Sequence, residues 1–149
     1  MKALIQRVGA AKVEVEGKTV GQINKGIVTL LGIAPTDTEK DLEWMIGKII
    51  RLRIFDDADG KMNLSLTDVA GEHLIVSQFT LYGDTKKGNR PSFVGAAPPE
   101  QANKLYQRAL EMSRALGIKT ESGQFQAHMQ VSLVNDGPVT LMIESPQPI

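Results

Sequence analysis

Polar and apolar positions alternate loosely through residues 2–15 and then regularly in Lys12-Val13-Glu14-Val15-Glu16, which predicts a strand with Val13 and Val15 on one face. Glu16-Gly17-Lys18 reads as a hairpin tip leading into a second strand, Thr19 to Ile23. After a turn at Asn24-Lys25-Gly26, Ile27 to Ile33 is almost continuously apolar, the pattern of a strand buried on both faces. The first 33 residues are therefore expected to form a three-stranded antiparallel meander. Pro35-Thr36-Asp37-Thr38 then breaks the pattern. Thr38, with Asp41 three residues later, resembles a capping arrangement with Asp in the usual Glu position. Leu42, Met45, Ile46, Ile49 and Ile50 follow at amphipathic helical spacing. Burying these five side chains supplies on the order of 1.5–3 kcal/mol each before conformational entropy is counted.

Arg51 to Phe55 leave this helix for a short strand. Asp56-Asp57-Ala58-Asp59-Gly60 invites comparison with a calcium loop, but aligning Gly60 at the sixth position puts Phe55 first and Leu66 twelfth. The segment reads instead as an Asp-Gly turn followed by a short extended run, Lys61 to Leu66. Ala70-Gly71-Glu72 turns into a strand that begins apolar, His73 to Val76. It then becomes polar at Ser77, Gln78 and Thr80 with no turn signal between. Three neutral hydrogen-bonding side chains beside an apolar run suit the wall of a ligand pocket. Residues 83–97 carry Gly83, Gly88, Pro91 and Gly95 and read as a long surface loop of the kind that often holds function. Pro98-Pro99-Glu100 opens a second helix with Ala102, Leu105, Tyr106, Ala109, Leu110 and Ser113 facing inward and Gly117 closing it. A short strand is expected over Ile118 to Ser122, and another through Met129, Val131 and Leu133. Asn135-Asp136-Gly137-Pro138 is expected to turn the chain into a last strand at Val139, Leu141 and Ile143. Ser145 to Ile149 reads as a tail.

About seven strands and two helices that do not alternate with them predict an α+β fold, with mostly antiparallel sheets forming a partly closed β-barrel-like core and two packed helices. The length, 149 residues, suits one domain spanning 1–149.

Composition narrows the function. Lys plus Arg and Asp plus Glu are 17 each, so the net charge is zero, unlike that of a dedicated non-specific nucleic-acid binder. A local basic patch stays open, since attraction depends on where the charges sit. There is no cysteine, hence no disulfide, thiolate metal site or cysteine nucleophile. With only His73 and His128, a multi-histidine zinc site is not expected, and neither is a metal or cofactor of another kind. No apolar run approaches the roughly 20 residues of a bilayer span. Met1 to Arg7 turns polar too early for a signal peptide, so a cytoplasmic, non-membrane protein is expected.

Ser77 and Thr80 are candidate nucleophiles, but no Gly-x-Ser-x-Gly elbow accompanies them and a nucleophilic hydroxyl needs a base within reach. Their simpler role is to satisfy buried backbone groups. Lys86, Lys87 and Arg90 are either phosphate contacts or solvated surface charge. The Gly137-Pro138 bond is expected to be trans on backbone energetics alone, because only about 5–6% of X-Pro bonds in folded proteins are cis.

Four segments together resemble the D-aminoacyl-tRNA deacylases: Gln6-Arg7-Val8, Ser77-Gln78-Phe79-Thr80-Leu81, Gly88-Asn89-Arg90-Pro91-Ser92-Phe93 and Asn135-Asp136-Gly137-Pro138-Val139-Thr140. They occur in the family's order, and the resemblance extends over essentially the whole chain. It implies hydrolysis of the ester that joins a D-amino acid, or mischarged glycine, to the 3′-terminal adenosine of tRNA. It implies a homodimer with sites at the subunit interface. It also implies that Gly137-Pro138 is cis and enters the partner subunit's pocket, where its carbonyls exclude an L side chain. Ser77, Gln78, Phe79 and Thr80 map onto the family's pocket strand, Met129 onto a pocket-lining methionine, and Arg7 onto an arginine near the Gly-Pro turn. In the family picture the adenosine 2′-hydroxyl assists the attack of water, with the amide of Phe79 or its neighbour as oxyanion donor. Two alternatives remain at this point: a covalent intermediate on Thr80 or Ser77, and a non-catalytic RNA-binding module using Lys86, Lys87 and Arg90.

Overall fold

The computed structural model describes residues 1–147; of the expected tail, residues 148–149 lie outside the described part. Its long axis is β1 (Lys2–Val15). A two-residue turn follows, with Glu16 at φ +50° and Gly17 at φ +77°, the paired positive angles that match the twist of a hairpin. The chain then forms β2 (Lys18–Ile23) and β3 (Gly26–Gly32). These three strands are antiparallel, but they are not a meander. β1 is about twice as long as its neighbours, so its C-terminal part pairs with β2 (Ala11↔Ile23 to Val15↔Lys18) and its N-terminal part with β3 (Lys2↔Gly32 to Val8↔Gly26).

The helix α1 (Glu39–Arg51) begins as expected, with the Thr38 backbone N–H donating to the Asp41 carboxylate at 2.8 Å. Leu42, Met45, Ile46, Ile49 and Ile50 are all buried. The chain then makes a separate ribbon of two short antiparallel strands, β4 (Phe55–Asp56) and β5 (Met62–Leu64), joined through the Asp57–Gly60 turn.

β6 (Glu72–Ser77) lies parallel to β3, and β7 (Thr120–Ser122) lies parallel to β6. The sheet is thus mixed: antiparallel pairing predominates, as expected, and the two pairs β3–β6 and β6–β7 are parallel. The crossover between β6 and β7 carries α2 (Pro99–Ala115), whose C-terminal end is followed by Gly117 at φ +85°. The sheet curls until its two ends meet. A Cβ placed on Gly21 of β2 would stand 2.2 Å from the Ser122 carbonyl oxygen of β7, so only glycine permits this approach.

β3 and β6 sit between two apolar clusters. Ala3, Ile5, Ile27, Leu31 and Ile75 pack with α1 and α2 in the larger cluster. Val8, Val13, Val28, Leu74 and Val76 fill the smaller one, inside the curled sheet. Thr29 and His73 alternate with these positions on the helix side. Thr29 Oγ1 lies 2.7 Å from His73 Nε2, His73 Nδ1 lies 3.0 Å from Ser113 Oγ, and Ser113 Oγ lies 2.7 Å from Thr120 Oγ1. This buried polar chain joins β3, β6, α2 and β7. With its ring fully buried, His73 is pushed down to about 3 from the ordinary 6.5 and is neutral at physiological pH.

β8 (Gln130–Glu144) is one strand where two strands and a chain reversal are expected. Both halves pair with β1, Gln130 to Asn135 against Glu14 to Val8 and Thr140 to Glu144 against Gln6 to Lys2. Asp136 to Val139 are extra residues and stand out of the strand as a bulge. Among the described residues no helix is long and apolar enough to cross a membrane.

Candidate functional site

A cleft of about 630 Å³ opens where β6 ends. The polar stretch after Val76 is not a continuing strand. β6 stops at Ser77, the Gln78 amide donates to the Leu31 carbonyl oxygen at 2.8 Å, and Phe79–Tyr82 coil into a single 3-10 turn. The turn forms because Leu81 N–H returns to Gln78 O and Gly83 N–H to Thr80 O, satisfying backbone groups that no longer have a strand partner. Ser77, Gln78 and Phe79 therefore line the cleft at the strand end. Thr80 does not line it and instead accepts a hydrogen bond from the Gln78 side-chain amide.

The second wall comes from the long loop and the start of α2. Phe93, Ala96 and Ala97 lead into Pro98, Pro99 and Ala102. Phe79 and Phe93 meet edge to face with ring centroids 5.2 Å apart at an angle of 76°. The third wall is the β7–β8 connection, with Phe125, Gln126 and Ala127, followed by Met129 and Val131. Phe125 is steadied by Tyr106 of α2 at 6.1 Å between centroids, and the Tyr106 hydroxyl donates to the Ile75 carbonyl oxygen at 2.7 Å. Met129 accepts the Gln124 amide on its sulfur at 3.4 Å.

Phe93, Phe125, Gln126 and the Pro98-Pro99 entry to α2 are not singled out as pocket residues by the sequence reading. One signal was available: the chain has four phenylalanines, and three of them, Phe79, Phe93 and Phe125, face this cleft.

The chemistry of the lining is as informative as its shape. Among the described residues that line it, none is ionisable. The polar groups are the Ser77 hydroxyl, the amides of Gln78 and Gln126, and backbone. His73, four residues before Ser77, is buried and engaged at both ring nitrogens by Thr29 and Ser113. His128 is exposed beside Gln130 and is not part of the lining. Neither histidine stands as a base to Ser77. The cleft suits a largely apolar, planar group held by aromatic edges and oriented by a few neutral hydrogen-bonding groups.

Other predicted residues lie outside the cleft of this chain. Lys86, Lys87 and Arg90 are exposed on a loop tip, and that tip is closed at its base by paired hydrogen bonds between Asp84 and Ser92 at 2.7 and 2.9 Å. Phe93 follows directly, so the cations stand just beyond one cleft wall.

Arg7, Gly137 and Pro138 form a second centre on β1 and β8. The Gly137-Pro138 bond is cis, against the trans expectation from backbone energetics and in line with the family resemblance. Arg7 Nε donates to the Asp136 carbonyl oxygen at 2.8 Å, and Asn135 Oδ1 accepts the Val139 amide at 2.8 Å across the base of the bulge. Gly137 adopts φ +148°, and a Cβ there would lie 2.8 Å from the Val139 amide nitrogen. Gly137 and Pro138 are exposed and do not line this chain's own cleft.

Residues 4–144 match the family model described as D-Tyr-tRNA(Tyr) deacylase. A protein of Desulfatibacillum aliphaticivorans named D-aminoacyl-tRNA deacylase is 63% identical over 145 residues, which cover 97% of this chain and 99% of that one. One of Thermosipho africanus with the same name is 59% identical, covering 97% of each. A solved structure described as c-Myc DNA Unwinding Element Binding Protein superposes with a TM-score of 0.92 at 46% identity, covering 99% of this chain and 100% of the other. With a family match spanning nearly its whole length and relatives this similar, the chain belongs to the D-Tyr-tRNA(Tyr) deacylase family.

Proposed function

We propose that this protein hydrolyses the ester linking a D-amino acid, or mischarged glycine, to the terminal adenosine of tRNA, releasing the amino acid and intact tRNA. The observation that carries the reading is the cleft itself: an aromatic-rimmed, largely apolar slot with no ionisable side chain in its lining, in a member of this family. Residues 1–149 act as one deacylase domain, in the cytoplasm and without a cofactor.

An ester can be cleaved in such a cleft if the substrate supplies part of the catalysis. The 2′-hydroxyl of the terminal ribose is adjacent to the acylated 3′ oxygen. It assists water in attacking the carbonyl, while the amide of Phe79 or its neighbour stabilises the oxyanion. Ser77 and Gln78 orient the substrate. Met129 forms part of the wall, and Lys86, Lys87 and Arg90 hold phosphates of the acceptor end.

Selectivity comes from a second copy of the chain. β8 presents Val131, Val134, Leu141 and Met142 as exposed apolar side chains, and the Gly137-Pro138 bulge stands on that same strand. A two-fold association through this strand brings the partner subunit's bulge toward this subunit's cleft. Its backbone carbonyls then leave no room for an L side chain, while a D side chain points away. Rejection by clash needs no close recognition of the accepted side chain and admits many D-amino acids.

The test is to incubate the purified protein with a D-aminoacyl-tRNA, its L counterpart, and a D-aminoacyl-tRNA ending in 2′-deoxyadenosine. The reading expects cleavage of the first alone. Intact D-aminoacyl-tRNA overturns the function. Undiminished cleavage of the deoxy substrate overturns the assistance by the ribose. A monomer mass at micromolar concentration overturns the site completed by two subunits.

A further inference from the structure

The bulge at Gly137-Pro138 is gripped from a part of the chain that has no place in the cleft. Arg7 is the β1 residue left over between the pairs Gln6↔Thr140 and Val8↔Asn135, where β8 carries its extra residues. Its side chain fills the gap and is 8% exposed, so a permanently charged guanidinium is held almost out of water. Such a group needs acceptors and a countercharge. On the turn side, Nε donates to the Asp136 carbonyl oxygen at 2.8 Å, with the Asp136 carboxylate 4.0 Å away. On the far side, Nη1 donates to the Ile54 carbonyl oxygen at 2.7 Å and faces Asp56 Oδ1 at 3.4 Å.

We propose that Asp56 is a positioning residue for the Gly137-Pro138 turn, acting through Arg7, so that the β4–β5 ribbon takes part in chiral discrimination. This rests on the reading that the turn is the element that rejects L side chains. The guanidinium is a rigid planar fork, so anchoring Nη1 at two points sets the direction in which Nε aims. Ile54 O supplies one anchor from the backbone, and Asp56 supplies the other together with the charge. Asp56 is itself half-exposed and absent from both apolar clusters, so removing its carboxylate leaves the core packing intact. What it releases is one end of the lever that holds the turn.

The experiment compares hydrolysis of a matched D- and L-aminoacyl-tRNA by the wild type, Asp56→Ala, Asp56→Asn and Gly137→Ala, together with hydrogen exchange at the Gly137 and Val139 amides. Asp56→Ala is expected to raise L cleavage relative to D by about five-fold, the scale on which one partly exposed ion pair acts. It is also expected to speed exchange at the two amides. Asp56→Asn, which keeps an acceptor oxygen in place, recovers part of both effects. If Gly137→Ala shifts the L/D ratio while Asp56→Ala changes neither the ratio nor the exchange, the role of Asp56 is overturned and the reading beneath it stands. If Gly137→Ala also leaves the ratio unchanged, the turn is not the selective element and both fall. Equal loss of D and L cleavage in Asp56→Ala, with a lowered melting temperature, marks a merely structural residue and overturns the proposal.

Discussion

Phe79 and Phe93 meet edge to face across the mouth of the cleft, 5.2 Å between ring centroids, although 14 residues of chain separate them. Phe79 is 54% exposed, a costly display for an aromatic side chain unless something covers it. Under the proposed function, this exposed face is where the terminal adenine would stack. Replacing Phe93 by Ala is expected to raise KM for D-aminoacyl-tRNA by about ten-fold with a smaller change in kcat, since stacking of one base on an aromatic ring is worth ~1–3 kcal/mol. Steady-state kinetics over a range of substrate concentrations checks this. An unchanged KM removes Phe93 from the binding surface.

Ser77 lines the cleft and Thr80 does not, and neither has a basic partner. Ser77→Ala and Thr80→Ala are therefore expected to retain turnover within about ten-fold of wild type, whereas deleting a true nucleophile costs about a million-fold. Single-turnover kinetics with quenched samples distinguishes the two. A collapse on that larger scale in either variant establishes a covalent route through that hydroxyl.

The three loop cations are expected to act on affinity rather than on the chemical step. Replacing Lys86, Lys87 and Arg90 together by Ala removes up to three phosphate contacts. It should flatten the slope of log affinity against log salt by roughly 2, at about 0.7 for each contact to single-stranded RNA. Binding measured across a salt series gives the slope directly, and parallel slopes for the variant and the wild type leave these cations as solvated surface charge.

His73 makes stability pH-dependent in a defined window. In the fold its imidazole is pushed down to about 3 by burial, against 6.5 for the free side chain. The unfolded chain therefore takes up a proton that the folded chain refuses as pH falls below about 6.5. The contribution of neutral His73 is complete above that pH, declines by ~1.4 kcal/mol per pH unit on the way down, and is gone near pH 3. Denaturant unfolding at a series of pH values should show this slope in the wild type. His73→Gln should lose that component of the slope whatever its absolute stability, and identical slopes would show that the histidine protonates without unfolding.

Local pattern carried much of the architecture. The helices over 39–51 and 99–115 follow from the spacing of Leu42, Met45, Ile46, Ile49 and Ile50 and of Ala102, Tyr106, Ala109 and Leu110. Both depend on neighbours within two turns, which a linear sequence displays. The family was legible too, because its four motifs are short runs of adjacent residues. Strand partners were not. That β1 takes both β2 and β3, that β6 and β7 run parallel to their neighbours, and that Asp136 to Val139 bulge rather than reverse the chain all depend on pairings between distant segments. Period-two alternation reports which face of a strand is buried, not which strand lies beside it.

The site divides the same way. Ser77 and Gln78 stood out, with Thr80, as polar positions after an apolar run. Their chemical meaning came from what the fold brought opposite them: Phe93, the start of α2, and Phe125, with no ionisable group among the lining residues. The sequence alone determined the helices, the apolar faces and the kinship. The tertiary structure alone decided that β6 ends at Ser77 and that Arg7 is clamped between Asp56 and the turn at Asp136, because such contacts are formed by groups that meet only when the sheet curls closed.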